Sequence, residues 1–423
     1  MKILKLKSPR FPKILSSYSK KNALVVHNIE LEPNGDLMSQ SNPNLKYYSS
    51  RALFLSRNND ILMLNFEMPK EYLEYVSNLG FEIPTIINVE SEKGNNFVEQ
   101  VESFQKENKL ILNKKNYFYS PFYVNKKDYL LSKKFGSRFM GSKKFEIYDF
   151  VYNKYNFTKL CQNNGIPSLE SMKYLVSSSS VEKIKSDLLS FFDLFNTETL
   201  LLRETNGAGG IGIYALTKEN IDDVSKSLLK YPGLEYLVQI KYDILSSPSV
   251  IGVITAKKVK LFSQTEQLFN DEGKYLGNII NLENFNDELK NLTLNIGEIK
   301  RNFGYRGVFG IDFIETNKNE FYPVEDNARF TNSMTLYNIL AQLNEDNVNF
   351  TFGISTVMKV NPASFEKFKE RYENVLNIES MNLKLKTVIT NPILIESGDL
   401  HISIVGEKNY VLEHLNYLLE ELK

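Results

Sequence analysis

Cysteine and histidine are scarce in this chain, and their scarcity excludes several kinds of site. Cys161 is the one cysteine among 423 residues, which rules out an intramolecular disulfide and a cysteine-based zinc site. The three histidines, His27, His401 and His414, are scattered. A histidine-rich metal centre or a histidine-based triad is therefore not expected.

An excess of one charge and long apolar runs are also missing. The chain has 51 basic and 51 acidic residues, and the basic residues form no long tract, so nucleic acid is not an expected partner. No apolar run approaches the about 18 residues of a membrane span, and residues 1–20 lack the apolar core of a signal peptide. We expect a soluble, cytoplasmic protein with no membrane partner and with two or three domains, given 42% hydrophobic residues.

The most informative stretch present is residues 306–333, RGVFGIDFIETNKNEFYPVEDNARFTNS. Residues 308–314 and 321–324 are apolar apart from Asp312, and residues 315–320 are rich in asparagine and charge. Two apolar runs joined by such a connector predict a β-hairpin.

Four polar side chains share one face of this predicted hairpin. Asp312 and Glu325 can face each other across the ladder, and Asn327 and Arg329 follow Glu325 at period two. Two carboxylates, an amide oxygen and a guanidinium suit one or two Mg²⁺ ions carrying a polyphosphate. A surface hairpin with exposed charges is the alternative, but opposed carboxylates would destabilise a plain hairpin, so we favour the metal site.

Residues 1–140 alternate short apolar runs with helix-compatible segments, which predicts an α/β domain with a mainly parallel sheet. No G-x-G-x-x-G follows any of these runs, so no dinucleotide is assigned. Residues 117–123, YFYSPFY, are interpreted as a packed connection between domains rather than a ligand cage.

Residues 148–164 have helical spacing and stop at Gly165, with Pro167 beyond. Lys154 in this predicted helix would ordinarily be a solvated charge. Further along, residues 199–215, TLLLRETNGAGGIGIYA, place Arg203 on a strand that enters a glycine-rich loop. Glycines expose backbone N–H groups to phosphate oxygens, although a flexible turn has the same composition; without Lys-Ser/Thr the loop is not a P-loop.

The remaining elements are predicted from periodicity. Residues 237–240 form a short strand, residues 263–269 contribute Glu266 and Gln267, and residues 285–303 form a helix interrupted at Gly297. A helix over residues 334–343 follows Thr331, Asn332 and Ser333, whose free N–H groups suit an anion or an ordinary N-cap.

Taken in order, these motifs resemble the ATP-grasp superfamily. The resemblance rests on the helix ending in GIP, LLRETNGAGGIGI, EYLVQIKYD and GVFGIDF…YPVEDNARF, and covers about residues 140–350. It implies a Rossmann-like pre-ATP-grasp domain over residues 1–140, then a two-lobed α+β ATP-grasp domain with lobes at 141–240 and 241–350. A small C-terminal subdomain spans residues 351–423. The segment SSPSV…SQTEQLF…GKYLGN also resembles the pheganomycin-type peptide ligases and butirosin-type amide ligases. These tend to end the metal motif with a Gly-Gly-Thr-Thr-like run, where this chain has RFTNS.

The resemblance implies a role for each matching residue. Asp312, Glu325 and Asn327 match the Mg²⁺ ligands, and Arg329 matches the catalytic arginine that contacts phosphate. The residues implied to bind ATP are Lys154, Arg203, Gly207, Ala208, Gly209, Gly210, Gln239, Ile240, Lys241 and Asp243. Arg203 stands where most members have lysine, and it is also implied in catalysis. Thr331, Asn332, Ser333 and Glu266 are implied to lie beside the substrates.

The implied activity is an ADP-forming carboxylate–amine ligase that works through an acylphosphate in a specialised biosynthetic pathway. Its cofactors would be ATP and Mg²⁺, two ions for which Mn²⁺ can substitute. Its partners would be small carboxylate and amine substrates, an amino acid or peptide. Two alternatives stay open: a ligase that loads a carrier-protein thiol, and a catalytically silent nucleotide-binding scaffold. Homodimers are common in the superfamily.

Overall fold

The computed structural model describes residues 11–29, 44–90, 96–113, 115–177, 180–207, 212–270, 273–317, 320–344, 350–373 and 385–422. Within these ranges the strands form sheets of five, four and eight strands. None of the described helices is both long and apolar enough to cross a membrane.

The first sheet is parallel throughout, in the order β3-β2-β1-β4-β5. Its strands are β1 (Asn22–Val26), β2 (Ile61–Leu64), β3 (Thr85–Asn88), β4 (Tyr117–Pro121) and β5 (Arg138–Phe139). The accompanying helices are α1 (Ile14–Tyr18), a 3₁₀ helix (Leu45–Phe54), α2 (Lys70–Asn78), α3 (Phe97–Asn108) and α4 (Lys126–Lys134). The predicted α/β class is confirmed. The aromatic run predicted as a connection is instead largely strand β4, because an interior parallel strand is apolar on both faces.

The second sheet is antiparallel, in the order β6-β9-β7-β8. Its strands are β6 (Ser171–Leu175), β7 (Leu200–Glu204), β8 (Ile213–Leu216) and β9 (Glu235–Ile240). The helices of this region are α5 (Glu146–Tyr152), α6 (Lys154–Asn163), α7 (Val181–Phe195) and α8 (Ile221–Leu229). The single helix predicted over residues 148–164 is therefore wrong. The extended backbone of Asn153 separates α5 from α6.

The third sheet is antiparallel, in the order β14-β13-β10-β11-β12-β15-β17-β16. Its strands are β10 (Pro248–Ile254), β11 (Val259–Phe269), β12 (Tyr275–Asn281), β13 (Gly307–Asn317), β14 (Glu320–Asn327), β15 (Phe352–Lys359), β16 (Leu385–Asn391) and β17 (Asp399–Gly406). The helices are α9 (Asp287–Asn302), α10 (Asn332–Leu343), α11 (Phe365–Arg371) and α12 (Lys408–Glu421). The strands after residue 351 thus extend the sheet that carries the acidic hairpin; the domain division itself stays a prediction.

Gly297 does not interrupt α9, which is continuous across it. A Cβ at Gly297 would lie 2.7 Å from Val259 Cγ1. The glycine is there because the helix packs closely against β11, so the predicted interruption is wrong.

Helix α10 fastens the N-terminal domain to the eight-stranded sheet. Asn338 Oδ1 accepts a hydrogen bond of 3.0 Å from the N–H of Ile14, and Gln342 Nε2 donates one of 2.8 Å to the carbonyl of Phe54. Apolar residues of the 3₁₀ helix, α10 and β10 belong to one continuous core. The 3₁₀ helix therefore has a fixed position over one face of the sheet.

Candidate active site

The acidic hairpin brings three polar side chains to one face of the sheet. Asp312 of β13 pairs directly with Glu325 of β14, and Gly310 pairs with Asn327. Directly paired residues of an antiparallel ladder point to the same face, and so do residues two apart along a strand. The expected placement of Asp312 opposite Glu325 is confirmed by this register.

The Asp312 carboxylate is buried beside a second carboxylate, and a cation would stabilise its negative charge. Its side chain is buried, and its Oδ2 accepts a hydrogen bond of 2.8 Å from Asn327 Nδ2. Burial, with the negative charge of Glu325 added, raises the pKa of Asp312 from 3.8 to about 6, although hydrogen bonding to Ser249 and Asn327 opposes the rise. A divalent cation at this position would favour the ionised carboxylate.

The donor set fits a Mg²⁺ ion that is shared with phosphate. Carboxylate and amide oxygens are hard donors, and Mg²⁺ is usually held by one or two carboxylates together with waters and substrate phosphates. Among the residues the structure describes, no group of three or more histidine, cysteine, aspartate or glutamate side chains could hold a metal by itself. Asp312, Glu325 and Asn327 would therefore hold the ion together with a phosphate ligand.

Glu325 is surrounded by basic side chains. Lys154 Nζ lies 3.1 Å from Glu325 Oε1, and an Arg203 terminal nitrogen lies 3.8 Å from Oε2. Burial alone would raise the pKa of Glu325, but the charges of Lys154, Arg203 and Arg329 outweigh it and lower that pKa. Glu325 is thus an anion at neutral pH, and three cations converge on the place where a polyphosphate would lie.

Lys154 is a buried group and not the solvated charge of an ordinary helix. It is the first residue of α6, whose N-terminus is capped by Asn153: Oδ1 accepts a hydrogen bond of 3.0 Å from the N–H of Asn156. The Lys154 amine also donates to the carbonyl of Gly207. This contact ties the lysine to the start of the glycine-rich loop.

Arg203 extends from β7 to the acidic hairpin. Its side chain is buried and donates a hydrogen bond of 3.3 Å to the carbonyl of Val324, beside Glu325. The glycine-rich loop begins at Gly207 and ends at Gly212, whose φ of +74° favours glycine. Ala208, Gly209 and Gly210 lie outside the described residues, so their predicted contact with phosphate is not tested.

Arg329 lies at the rim of a small cavity formed by the hairpin and the loop. The cavity is lined by Tyr152, Asn206, Gly207, Glu325, Asp326, Asn327 and Arg329. Tyr152 was not predicted from the sequence. It stacks on Tyr123 with ring centroids 4.4 Å apart, and its hydroxyl donates to the carbonyl of Ala328. It therefore supports the residue that precedes Arg329.

Gln239, Ile240 and Lys241, which the resemblance implies in ATP binding, lie at the end of β9. The N–H of Lys241 donates 3.2 Å to the carbonyl of Thr199, and the Gln239 side chain donates 2.8 Å to Ser171 Oγ. Alternate residues of a strand bond to opposite neighbours, so the backbone groups of Ile240 point away from β7, past the beginning of β6. The N–H of Lys241 is already used, and the backbone groups of Ile240 are directed away from β7; adenine binding by Gln239, Ile240 and Lys241 stays a prediction. Asp243 is exposed on the chain that follows.

The segment expected to bind the carboxylate substrate lies next to the acidic hairpin. Thr331 is the N-cap of α10 but makes no side-chain capping bond. Asn332 Nδ2 donates 3.2 Å to the Tyr275 hydroxyl and 3.3 Å to Ser355 Oγ. Ser333 is buried and accepts a hydrogen bond of 3.1 Å from Thr265. Tyr275 joins this region from β12, within the GKYLGN segment, and Ser355 joins it from β15.

Glu266 points away from the face that carries Asp312, and its predicted contact with the substrate stays a prediction. Thr265 and Asp312 both pair with Ser249, so these three residues share a face and Glu266 points to the opposite one. There Glu266 Oε1 accepts a hydrogen bond of 2.5 Å from the N–H of Ser247. Gln267, two residues after Thr265, is the one that shares the face of Asp312.

The chain is similar to known enzymes in sequence and in fold. No protein-family model matches the chain. A protein of Niallia circulans described as [butirosin acyl-carrier protein]–L-glutamate ligase is 24% identical over 355 residues, which cover 81% of this chain and 77% of that protein.

Solved structures share the fold over nearly the whole chain. N5-carboxyaminoimidazole ribonucleotide synthetase from Thermus thermophilus has a TM-score of 0.59 at 11% identity, covering 95% of this chain and 98% of that one. A biotin carboxylase from Campylobacter jejuni, solved with a β,γ-ATP compound, has a TM-score of 0.58 at 12% identity, covering 95% of this chain and 91% of that one. The resemblance drawn from the motifs is confirmed at the level of similarity: the chain is similar in sequence to a curated ligase and shares its fold with these ATP-dependent enzymes.

Proposed function

We propose that the chain is an ATP-dependent carboxylate–amine ligase that forms an amide or peptide bond through an acylphosphate. The observation that carries the proposal is the convergence of Lys154, Arg203 and Arg329 on Glu325, beside Asp312. Transfer of a phosphoryl group depends mainly on positioning and on neutralising charge over the phosphate oxygens. Its co-substrate ATP would place the reaction in the cytoplasm.

Each part of the site has a defined task in this reaction. Mg²⁺, held by Asp312, Glu325 and Asn327, would supply positive charge to the phosphate oxygens. Lys154 and Arg203 would grip the polyphosphate, and the glycine-rich loop would cover it. The backbone of Ile240 would bind adenine.

Arg329 would face the substrate carboxylate while an oxygen of that carboxylate attacks the γ-phosphorus of ATP and ADP leaves. An amine then attacks the acyl carbon of the acylphosphate, inorganic phosphate leaves, and the amine loses a proton. Asn332, at the beginning of α10 beside Tyr275 and Ser355, would orient the carboxylate substrate.

The relative from Niallia circulans supports a second candidate, in which the acceptor is a thiol. That relative is described as a ligase of L-glutamate and an acyl-carrier protein. The first half-reaction would be the same, because an acylphosphate can be attacked by a thiol as well as by an amine. The two candidates differ only in the acceptor.

ADP release from purified protein supplied with Mg-ATP tests both. We expect ADP release that depends on a pool of amino acids, with the amide product identified by mass spectrometry. Glu325→Gln, which keeps the size of the side chain and removes its charge, should reduce turnover by at least about 100-fold. Turnover that requires an added carrier protein would favour the thiol acceptor. ATP binding without turnover on any pool would contradict a ligase and favour a silent nucleotide-binding scaffold.

A further inference from the structure

Arg51 of the N-terminal domain lies beside the proposed active site. It belongs to the last turn of the 3₁₀ helix Leu45–Phe54, which α10 holds over the sheet. Its guanidinium carbon lies 5.3 Å from the centroid of the Phe122 ring, and that of Arg329 lies 5.5 Å from the same centroid. Two guanidinium groups from different domains are thus held against one aromatic ring.

His27 fixes the orientation of Arg51. The Nε–H of Arg51 donates a hydrogen bond of 3.1 Å to His27 Nε2, and the buried imidazole packs 4.3 Å from the Phe122 ring. Burial, together with the charges of Arg51 and Arg329, lowers the pKa of His27 well below its ordinary value, so the ring is a neutral acceptor. This hydrogen bond fixes the position of the Arg51 guanidinium beside His27.

Arg51 and Asp312 both act on Tyr275 of β12. The charge of Arg51 lowers the pKa of Tyr275, and the charge of Asp312 raises it. The Tyr275 hydroxyl accepts a hydrogen bond from Asn332, the residue expected to orient the substrate. Arg51 and Asp312 therefore both lie within electrostatic reach of Tyr275, which contacts Asn332.

We propose that Arg51 binds a second carboxylate of the acid substrate, one that does not react. Resting on the proposed function, this makes the substrate an acidic amino acid: one carboxylate is bound by Arg51 and the other is turned toward Arg329 and the acidic hairpin. A planar guanidinium suits this task because it binds carboxylate through two parallel hydrogen bonds. A substrate with a neutral group in place of the second carboxylate would leave Arg51 without its ligand.

The proposal is tested with hydroxylamine as the acceptor, because it traps an acylphosphate as a hydroxamate whatever the natural amine is. L-glutamate and L-aspartate are compared with L-glutamine and L-asparagine, and ADP and hydroxamate are measured. We expect wild-type protein to prefer the acidic members. In Arg51→Gln the KM for the acidic substrate should rise about 10- to 100-fold while the KM for ATP is unchanged. Arg51→Lys should fall between the two. Arg371→Gln, at an exposed arginine of α11, is the matched control.

The outcomes separate this inference from the proposed function. No ADP from wild-type protein with any acid would refute the ligase itself. Equal use of L-glutamate and L-glutamine by wild-type protein would refute the second carboxylate, and so would an Arg51→Gln variant with an unchanged KM. If Arg51→Gln does not fold, the wild-type comparison and Arg51→Lys still decide the question.

Discussion

Lys154 Nζ lies 3.1 Å from Glu325 Oε1, which joins the first residue of α6 to the acidic hairpin. The same amine donates to the carbonyl of Gly207, at the start of the glycine-rich loop. One buried cation thus contacts a proposed metal ligand and the proposed phosphate loop at once. Lys154 would therefore couple the position of the glycine-rich loop to the charge of a bound phosphate.

Lys154→Gln should therefore impair ATP binding and catalysis together. Without the ammonium, Glu325 keeps the charges of Arg203, at 3.8 Å, and of Arg329. The hydrogen bond to the carbonyl of Gly207 would then come from a neutral group. We expect a raised KM for ATP and a kcat lower by about 100-fold, measured by steady-state kinetics of ADP release. Lys159→Gln is the control in the same helix: its amine donates 2.9 Å to Gln162 Oε1, away from the acidic hairpin, and the variant should behave as wild type. Wild-type kinetics in Lys154→Gln would contradict a phosphate-binding role.

Asp312→Asn should stabilise the metal-free protein at neutral pH while abolishing activity. In the folded state the pKa of Asp312 is raised from 3.8 to about 6, so between those values the folded protein binds more protons than the unfolded chain. Stability from this group therefore falls as the pH rises from about 4 to about 6, and the full loss is present at pH 7.5. Two pKa units correspond to about 3 kcal/mol, and coupling to Glu325 makes about 1–3 kcal/mol the expected gain for the variant.

Urea unfolding without metal at pH 7.5 and pH 4 measures this effect. The difference between Asp312→Asn and wild type should appear at pH 7.5 and disappear at pH 4, where both side chains are neutral. Addition of Mg-ATP should stabilise wild type and not the variant. A variant that is less stable than wild type at pH 7.5 would show that the carboxylate is not under strain.

The acidic hairpin could be predicted because its signal is local. Asp312 and Glu325 are 13 positions apart, a turn-rich connector lies between them, and period two decides which side chains share a face. The direction of the Glu266 side chain could not be predicted in the same way. Its face depends on the pairing of β11 with β10, and a shift of one residue in that register reverses every side chain. The sequence of residues 263–269 alone does not determine how β11 pairs with β10.

Arg51 and Tyr152 could not be predicted for a different reason. Arg51 and Arg329 are 278 positions apart and lie over the same Phe122 ring, because the 3₁₀ helix packs against α10. No periodicity in residues 45–54 marks this placement. The break between α5 and α6 at Asn153 did have a sequence signal, because asparagine is a preferred N-cap residue. The continuous helical spacing of the apolar residues around it hid that signal. The packing of Arg51 and Tyr152 is decided by tertiary contacts, which local propensity does not encode.

Asn153→Ala tests whether that cap positions Lys154. Loss of the bond to the N–H of Asn156 should cost about 1 kcal/mol of unfolding free energy. Activity should fall further than stability explains, because Lys154 is the next residue. Asn96→Ala is the matched control, since Asn96 caps α3 through the N–H of Glu99, 3.1 Å away, in the N-terminal domain. We expect a loss in urea unfolding for both variants, larger for Asn153→Ala because Asn153 Nδ2 also donates 3.2 Å to Asn206 Oδ1, and a raised KM for ATP in Asn153→Ala alone. Equal kinetics in the two variants would show that α6 holds Lys154 without its cap.

Lys300 and Asp326 form a buried ion pair behind the acidic hairpin, and its loss should destabilise the protein. Lys300 Nζ lies 2.6 Å from Asp326 Oδ1, and the amine sits 4.5 Å and 4.7 Å from the ring centroids of Tyr305 and Phe309. Lys300→Met leaves the Asp326 carboxylate buried without this cation, which should cost about 3–5 kcal/mol in urea unfolding.

The double variant Lys300→Met/Asp326→Asn removes both charges and should recover much of that loss, because an uncharged pair avoids the desolvation of an isolated ion. Asp326 lies between Glu325 and Asn327 on β14 but points to the opposite face, so the recovered variant should also recover ATP turnover. A double variant as unstable as Lys300→Met would mean that the loss does not come from an isolated Asp326 charge.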